Sequence, residues 1–385
     1  MEQQESYRQK SRSAIQYWWL AFVAVGAVMA LAAGVVMARF VALRRQAQMA
    51  DIIGVAPGFT LHDQQGRLTS LKQFRGKVVV LTFIDPECTQ LCPLTTRSMV
   101  GALKLLGPGA ASQVQLLGID ANPEKTKVAD VADYTRTHEL EGKWRFLTGS
   151  PAHLAKIWKA YHVYVAVEKN DIEHTAVVMV IDQQGNEREV YSTPMSYAAE
   201  GDDAKTLASG IAQLLPGGPS IPAPNSADEV PNAAQGRIKT VSLTTLGPKP
   251  EPVVLGSSHA HLVVFFAGWM GPQLTKNLAV LDSYAAAAQR RGWPSPVAVD
   301  VLPTEPSAAA AQKELTPLAA KLHTPIVQDT SGKIADNYHV DDLPWFVLST
   351  DSGKILWTHD GWLSAADLNR QVDAALKKDS ALNKS

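Results

Sequence analysis

Residues 78–93 read VVVLTFIDPECTQLCP. The first seven, Val78 to Ile84, are apolar but for Thr82, a run with the length of a strand buried on both faces. Pro93 then opens a helical pattern that stops at Gly107-Pro108-Gly109, with proline in the first turn and glycine past the end, the order helix chemistry prefers. Between strand and helix stand the only two cysteines of the chain, Cys88 and Cys92. Working outward, residues 114–119 predict a second apolar strand and residues 127–138 and 151–161 two helices. Residues 175–181 predict a third strand, which turns at Gln184-Gly185-Asn186 into residues 187–191. Strands alternating with helices and closed by an antiparallel return make an α/β fold. Open sheets of that class carry their sites at the carboxyl ends of strands, which is where Cys88 falls.

Beyond residues 216–236, a Pro-, Gly- and Ser-rich stretch with the composition of a linker, the pattern partly repeats. HLVVFF at 261–266 matches VVVLTF, and PVAVD at 296–300 matches LLGID at 116–120. Asn337-Tyr338-His339-Val340 echoes Ala160-Tyr161-His162-Val163, and Ser352-Gly353-Lys354 echoes Gln184-Gly185-Asn186. In the second copy, Trp269-Met270-Gly271-Pro272-Gln273 looks like the thioredoxin W-C-G-P-C site with both cysteines replaced, which removes dithiol chemistry there. Asp342-Leu343-Pro344-Trp345 resembles the place where thioredoxin-like folds carry a cis-proline. Met270 with His259 or His261 offers soft and borderline copper donors, against the default that these residues pack. A docking or stabilising module is the expectation for this copy, with Trp345, Trp357 and Trp362 as core by default.

At 385 residues, 46% hydrophobic and 19% charged, the chain can fill the cores of two domains. A net charge of −1, with no basic cluster interleaved with aromatics, excludes nucleic acid as a partner. Residues 17–38, YWWLAFVAVGAVMALAAGVVMA, hold no charge and predict a transmembrane helix, read as an uncleaved anchor, with a cleaved signal as the alternative. Arg8, Lys10 and Arg12 before it are matched by Arg39, Arg44 and Arg45 after it, so charge alone does not orient it.

The C-x3-C spacing differs from the C-x2-C of most disulfide-exchange sites, and the extra residue leaves room for a metal between the sulfurs. A cysteine at a helix start is expected to favour thiolate, since the macrodipole is positive there. Two thiolates and an imidazole suit copper, whereas structural zinc takes a fourth protein ligand. A plain disulfide between Cys88 and Cys92 and reversible thiol exchange remain open on the residues alone.

FIDPECTQLCP, followed 82 residues after Cys92 by Glu173-His174-Thr175, resembles the SCO/SenC family of membrane-anchored, thioredoxin-like copper chaperones. The resemblance covers roughly residues 55–215. It implies that Cys88, Cys92 and His174 bind copper, as Cu(I) or Cu(II). It also implies a metal carrier, not an enzyme, delivering copper to a cytochrome oxidase subunit with a copper centre, and a soluble part on the extracytoplasmic, periplasmic side of the cytoplasmic membrane. Asp85, close in sequence, is expected beside the site. The alternative is a thiol-disulfide oxidoreductase using Cys88 and Cys92, which pair as a disulfide when oxidised. The expected architecture is two thioredoxin-like domains, at 51–215 and 237–380, joined by the 216–236 linker behind a flank at 1–16 and the 17–38 helix.

Overall fold

The computed structural model describes residues 53–168, 172–224, 238–256, 259–271 and 273–382. The expected span at 17–38 and residues 225–236 of the expected linker lie outside them. Among the described residues no helix is long and apolar enough to cross a membrane.

The first half contains β1 (Gly54–Val55), β2 (Thr60–Asp63), β3 (Leu68–Ser70), β4 (Val78–Ile84), α1 (Leu91–Ala111), β5 (Val114–Asp120), α2 (Val128–Thr137), β6 (Trp144–Thr148), α3 (Pro151–Ala160), β7 (Val165–Val167), β8 (Ile172–His174), β9 (Val177–Ile181), β10 (Asn186–Ser192) and α4 (Glu200–Leu214). The second contains β11 (Val241–Thr244), β12 (Pro252–Leu255), β13 (His261–Phe266), α5 (Leu274–Arg291), β14 (Ser295–Val301), α6 (Ala308–Lys321), β15 (Ile326–Asp329), α7 (Lys333–Asn337), β16 (Trp345–Ser349), β17 (Ile355–Asp360) and α8 (Ala365–Leu382).

All seven residues of β4 are buried, as its unbroken apolar run requires. Side chains alternate across the sheet. Val78, Val80 and Ile84 pack on Met99 of α1 and Ile211 of α4, while Val79, Leu81 and Phe83 pack on Leu154 and Trp158 of α3. The first sheet runs β1-β10-β9-β4-β5-β6-β2-β3 and the second β15-β14-β13-β16-β17. In both, the central strand has a parallel neighbour on one side and an antiparallel hairpin on the other: β4 between β5 and β9, and β13 between β14 and β16. The βαβ order with an antiparallel return is therefore present twice.

The repeated tetrapeptides have one physical job. His162 and His339 both adopt left-handed backbone, with φ of 56° and 54°. Each closes a helix by a six-to-one bond, Val163 N–H to the Trp158 carbonyl at 2.8 Å and Val340 N–H to the Ala335 carbonyl at 3.1 Å.

Boundaries differ from the sequence reading in two places. Helix α1 starts at Leu91, two residues before Pro93, which still falls in the first turn where its missing N–H is not needed. The helical path breaks at Gly107, with φ of 74°, so the expected stop is real although a further turn follows it. His174, expected at the start of the third strand, instead ends β8, which pairs only with β7 in a separate hairpin.

The second sheet is covered unevenly. Leu262, Val264 and Phe266 face α5, α6 and α8. On the opposite face the strands meet the five-residue α7 and the β11–β12 hairpin, and that cluster is completed by Leu94 and Tyr197 from the first half. Asp336 fastens the junction, accepting from Ser196 Oγ at 2.8 Å, Tyr197 N–H at 2.8 Å and Ala198 N–H at 3.1 Å. The backbones approach so closely that a Cβ on Gly332 would lie 2.4 Å from the Tyr197 carbonyl carbon, and its φ of +76° also favours glycine.

Candidate metal centre

Cys88 lies half-buried in the loop after β4, with its N–H donating to the Asp85 carbonyl at 3.1 Å. Cys92, the second residue of α1, is 2% exposed. Both are free thiols. The β7–β8 hairpin carries His174 to them. Its closure is local: Thr175 N–H donates to the Tyr164 carbonyl at 3.1 Å, and Tyr164 N–H donates to Thr175 Oγ1 at 3.0 Å.

His174 Nε2 stands 3.7 Å from Cys92 Sγ, and His174 Nδ1 stands 3.2 Å from the Thr175 carbonyl oxygen. A carbonyl only accepts, so Nδ1 carries the proton and the Nε2 lone pair faces the sulfur. An outer hydrogen bond of that kind fixes the tautomer and orientation of a metal-binding imidazole. With bonds of about 2.3 Å to sulfur and about 2.0 Å to nitrogen, as for zinc, and an angle of about 110–120°, two ligands on one ion sit about 3.5–3.7 Å apart. The observed spacing fits. Cys88 hydrogen-bonds to Cys92 and supplies a third soft donor beside the pair. Among the described residues, though, no three donors already converge as a metal cluster, so Cys88 must close in on any ion that is taken up.

The electrostatics correct one expectation. Burial pushes the Cys92 thiol well above its usual pKa, with the neighbouring Cys88 and Asp85 adding to it and a backbone hydrogen bond from Asp85 opposing. Proximity to the positive end of α1 does not outweigh loss of water around a fully enclosed sulfur. Burial favours the protonated thiol of Cys92, and a metal bound there would have to displace that proton.

Asp85 directly follows β4 and is 5% exposed. Its carboxylate accepts from Asn122 Nδ2 at 2.8 Å and Glu87 N–H at 2.9 Å. Burial raises its pKa, partly offset by those two bonds and by the nearby His174. Asn122, overlooked in the sequence, links this carboxylate to Asp120, whose Oδ1 accepts the Asn122 N–H at 2.9 Å. Burial pushes Asp120 up to about 7 despite hydrogen bonds from Thr148 and Asn122. The available signal was position: Asn122 follows the strand next to β4 and so reaches the same sheet edge. Tyr134, also overlooked, is buried beneath Cys92 with its hydroxyl 3.4 Å from Thr96 Oγ1, which donates to the Cys92 carbonyl at 3.0 Å.

Among the described residues the second half holds no matching donor set. Met270 follows the carboxyl end of β13, where its sulfur accepts the Ala267 N–H at 3.5 Å. His261 begins the same strand, with Nε2 3.0 Å from the Val254 carbonyl oxygen. Six residues of extended strand separate the two ends by roughly 17–20 Å, so Met270 cannot share an ion with His261. The Leu343–Pro344 bond is cis. Trp345 packs against the cluster on one face of the second sheet and Trp357 and Trp362 against that on the other, all three only partly buried.

A family model described as SCO1/SenC matches residues 47–209. The mitochondrial protein SCO2 homolog of Bos taurus is 30% identical over 146 residues, covering 36% of this chain and 54% of that protein. The mitochondrial protein SCO1 homolog 1 of Arabidopsis thaliana is 26% identical over 133 residues, covering 33% of this chain and 39% of that protein. The chain thus spans about half the length, or less, of these curated relatives. The structure of Bradyrhizobium japonicum ScoI with copper bound is 23% identical and covers 42% of this chain and 99% of that one, with a TM-score of 0.36. Residues 47–209, which bring C-x3-C-P and the distant histidine into one site, are thus similar to the SCO1/SenC family.

Proposed function

We propose that the first half is a copper-carrying domain in which Cys88, Cys92 and His174 take one copper ion and pass it to a copper centre of a cytochrome oxidase subunit during assembly. The observation that carries this is the 3.7 Å approach of a tautomer-fixed His174 Nε2 to Cys92 Sγ, with both thiols free. Two thiolates and one imidazole form a soft set with the coordination Cu(I) accepts, and a three-coordinate ion leaves room for an incoming ligand from the client. Delivery is ligand exchange, with no substrate turned over. The half-buried Cys88 is the ligand a client can reach first. The same proposal includes anchoring by residues 17–38, with the domain on the extracytoplasmic side, as relatives of this family lead one to expect.

The test is copper stoichiometry and Cu(I) affinity of the full-length chain, purified in detergent and reduced anaerobically, beside His174→Ala. One copper per chain, held at least about tenfold less tightly in the variant, is the expected result. No copper on the reduced wild type would end the proposal.

A second reading has its own observation. One half-exposed and one buried thiol in hydrogen-bond contact can cycle between dithiol and disulfide and reduce a client's cysteines. It predicts an active His174→Ala protein and a dead Cys88→Ser protein.

A further inference from the structure

The C-terminal half reaches the dithiol site itself. Three residues separate the cysteines, and the second half engages all three. Thr89 Oγ1 donates to Asp342 Oδ1 at 2.5 Å across 253 residues of sequence. Gln90 also hydrogen-bonds to the Asp342 side chain. Leu91 packs into the apolar cluster on the inner face of the second sheet, where Leu94, one turn further along α1, is 2% exposed. Asp342 is itself held, because Leu343 N–H donates to the same Oδ1 at 2.6 Å. The loop that sets the separation of the sulfurs is thereby held at its first two residues by a carboxylate and at its third by partial packing. Hydrogen bonds to an ionised acceptor are roughly twice as strong as neutral ones, so one side chain can govern this short segment.

We propose that Asp342 is a positioning residue for the Cys88–Cys92 pair, holding the loop between them in the form in which both thiols are free. A disulfide needs its Cα atoms about 4.4–6.8 Å apart and a dihedral angle near 90°, so any shift of the loop that its formation requires works against the Asp342 contacts. The second half thus biases the pair toward the reduced state in which it can accept a metal. Its copper consequence rests on the function proposed above, while its effect on the dithiol does not.

The experiment equilibrates the full-length chain with glutathione: the two thiols plus one glutathione disulfide give the Cys88–Cys92 disulfide and two glutathiones. Wild type is compared with Asp342→Ala, Asp342→Asn and Thr89→Val, with melting temperatures recorded alongside. Asp342→Ala is expected to shift the constant toward the disulfide by about tenfold, Thr89→Val by a smaller factor, and Asp342→Asn, which keeps an oxygen acceptor, by the least. Unchanged constants in Asp342→Ala and Thr89→Val, whatever the melting temperatures do, would overturn the proposal. If Asp342→Ala does not fold, Thr89→Val and Gln90→Ala carry the same test. Copper loading of the same proteins is read separately: a wild type that binds none defeats the copper reading and leaves the glutathione result standing.

Discussion

The two sheets of this chain share a strand order and differ in how their faces are closed. Around β4 the faces are covered from within, by α1 and α4 on one side and α3 on the other. Around β13 the three long helices crowd one face, and the other borrows Leu94 and Tyr197 from its neighbour. A sheet face left short of apolar cover must bury itself against something, and here it does so on the segment carrying the cysteines. The half without cysteines forms part of the wall around the two in the other half.

The comparison breaks first at the central strands. Phe83 of β4 and Phe265 of β13 are 1% and 0% exposed and correspond by strand register, one residue off the match expected from the sequence, since Ile84 pairs with Asp120 and Phe266 with Asp300. Truncating either to alanine is expected to cost about 3–5 kcal/mol, measured by denaturant titration. If the halves depend on each other unequally, Phe83→Ala will lower the unfolding midpoint of the second half as well, because it destabilises the half that supplies Leu94. Two independent transitions in calorimetry, with each substitution moving only its own, would refute the dependence.

Gly332→Ala probes the junction alone. The methyl group meets the Tyr197 backbone and forces left-handed backbone on alanine, so the expected loss is about 1–3 kcal/mol. Protease cutting between the halves is expected to quicken, with the thiols still free. Unchanged stability would mean that the halves part without cost.

The smallest effect, per pH unit, distinguishes the paired acids. Asp120 and Asp300 end matching strands, but Asp120 leans on Thr148 and Asn122 whereas Asp300 hydrogen-bonds to Glu305. Burial first, and then Asp300, raise Glu305 from 4.5 to about 10, so the folded pair keeps a proton that the unfolded chain has released. A raised acid pKa contributes stability that is lost as pH rises from about 4.5 toward 10. The slope for one proton is at most about 1.4 kcal/mol per pH unit. Glu305→Gln keeps the donor to Asp300 and the acceptor for Gly268 N–H, and is expected to flatten that slope in melts between pH 5 and 9. An unchanged slope would assign the dependence elsewhere.

Strands and helices were legible because local rules specify them. The apolar runs at 78–84 and 261–266, the Gly107 stop and the repeated Tyr-His-Val helix ends are each set within a few residues of chain. The cysteines and His174 were legible as a motif, and the fold does bring His174 to Cys92. The protonation of Cys92 was not, since a helix-start position says nothing about how much water the tertiary packing removes. The pairing of Met270 with a histidine failed for a similar reason, because nearness in sequence along an extended strand is distance in space.

The sequence by itself determined the two α/β repeats, the absence of a dithiol from the second and the soft donors of the first. Spacing, periodicity and residue chemistry are local properties that survive without coordinates. Only the tertiary structure decided that Asp342 holds the loop between Cys88 and Cys92, that Asn122 joins two buried carboxylates, and that one sheet finishes its core with side chains from the other half. Each of these depends on segments far apart in the chain being packed together, and no local pattern records which partner a buried face will find.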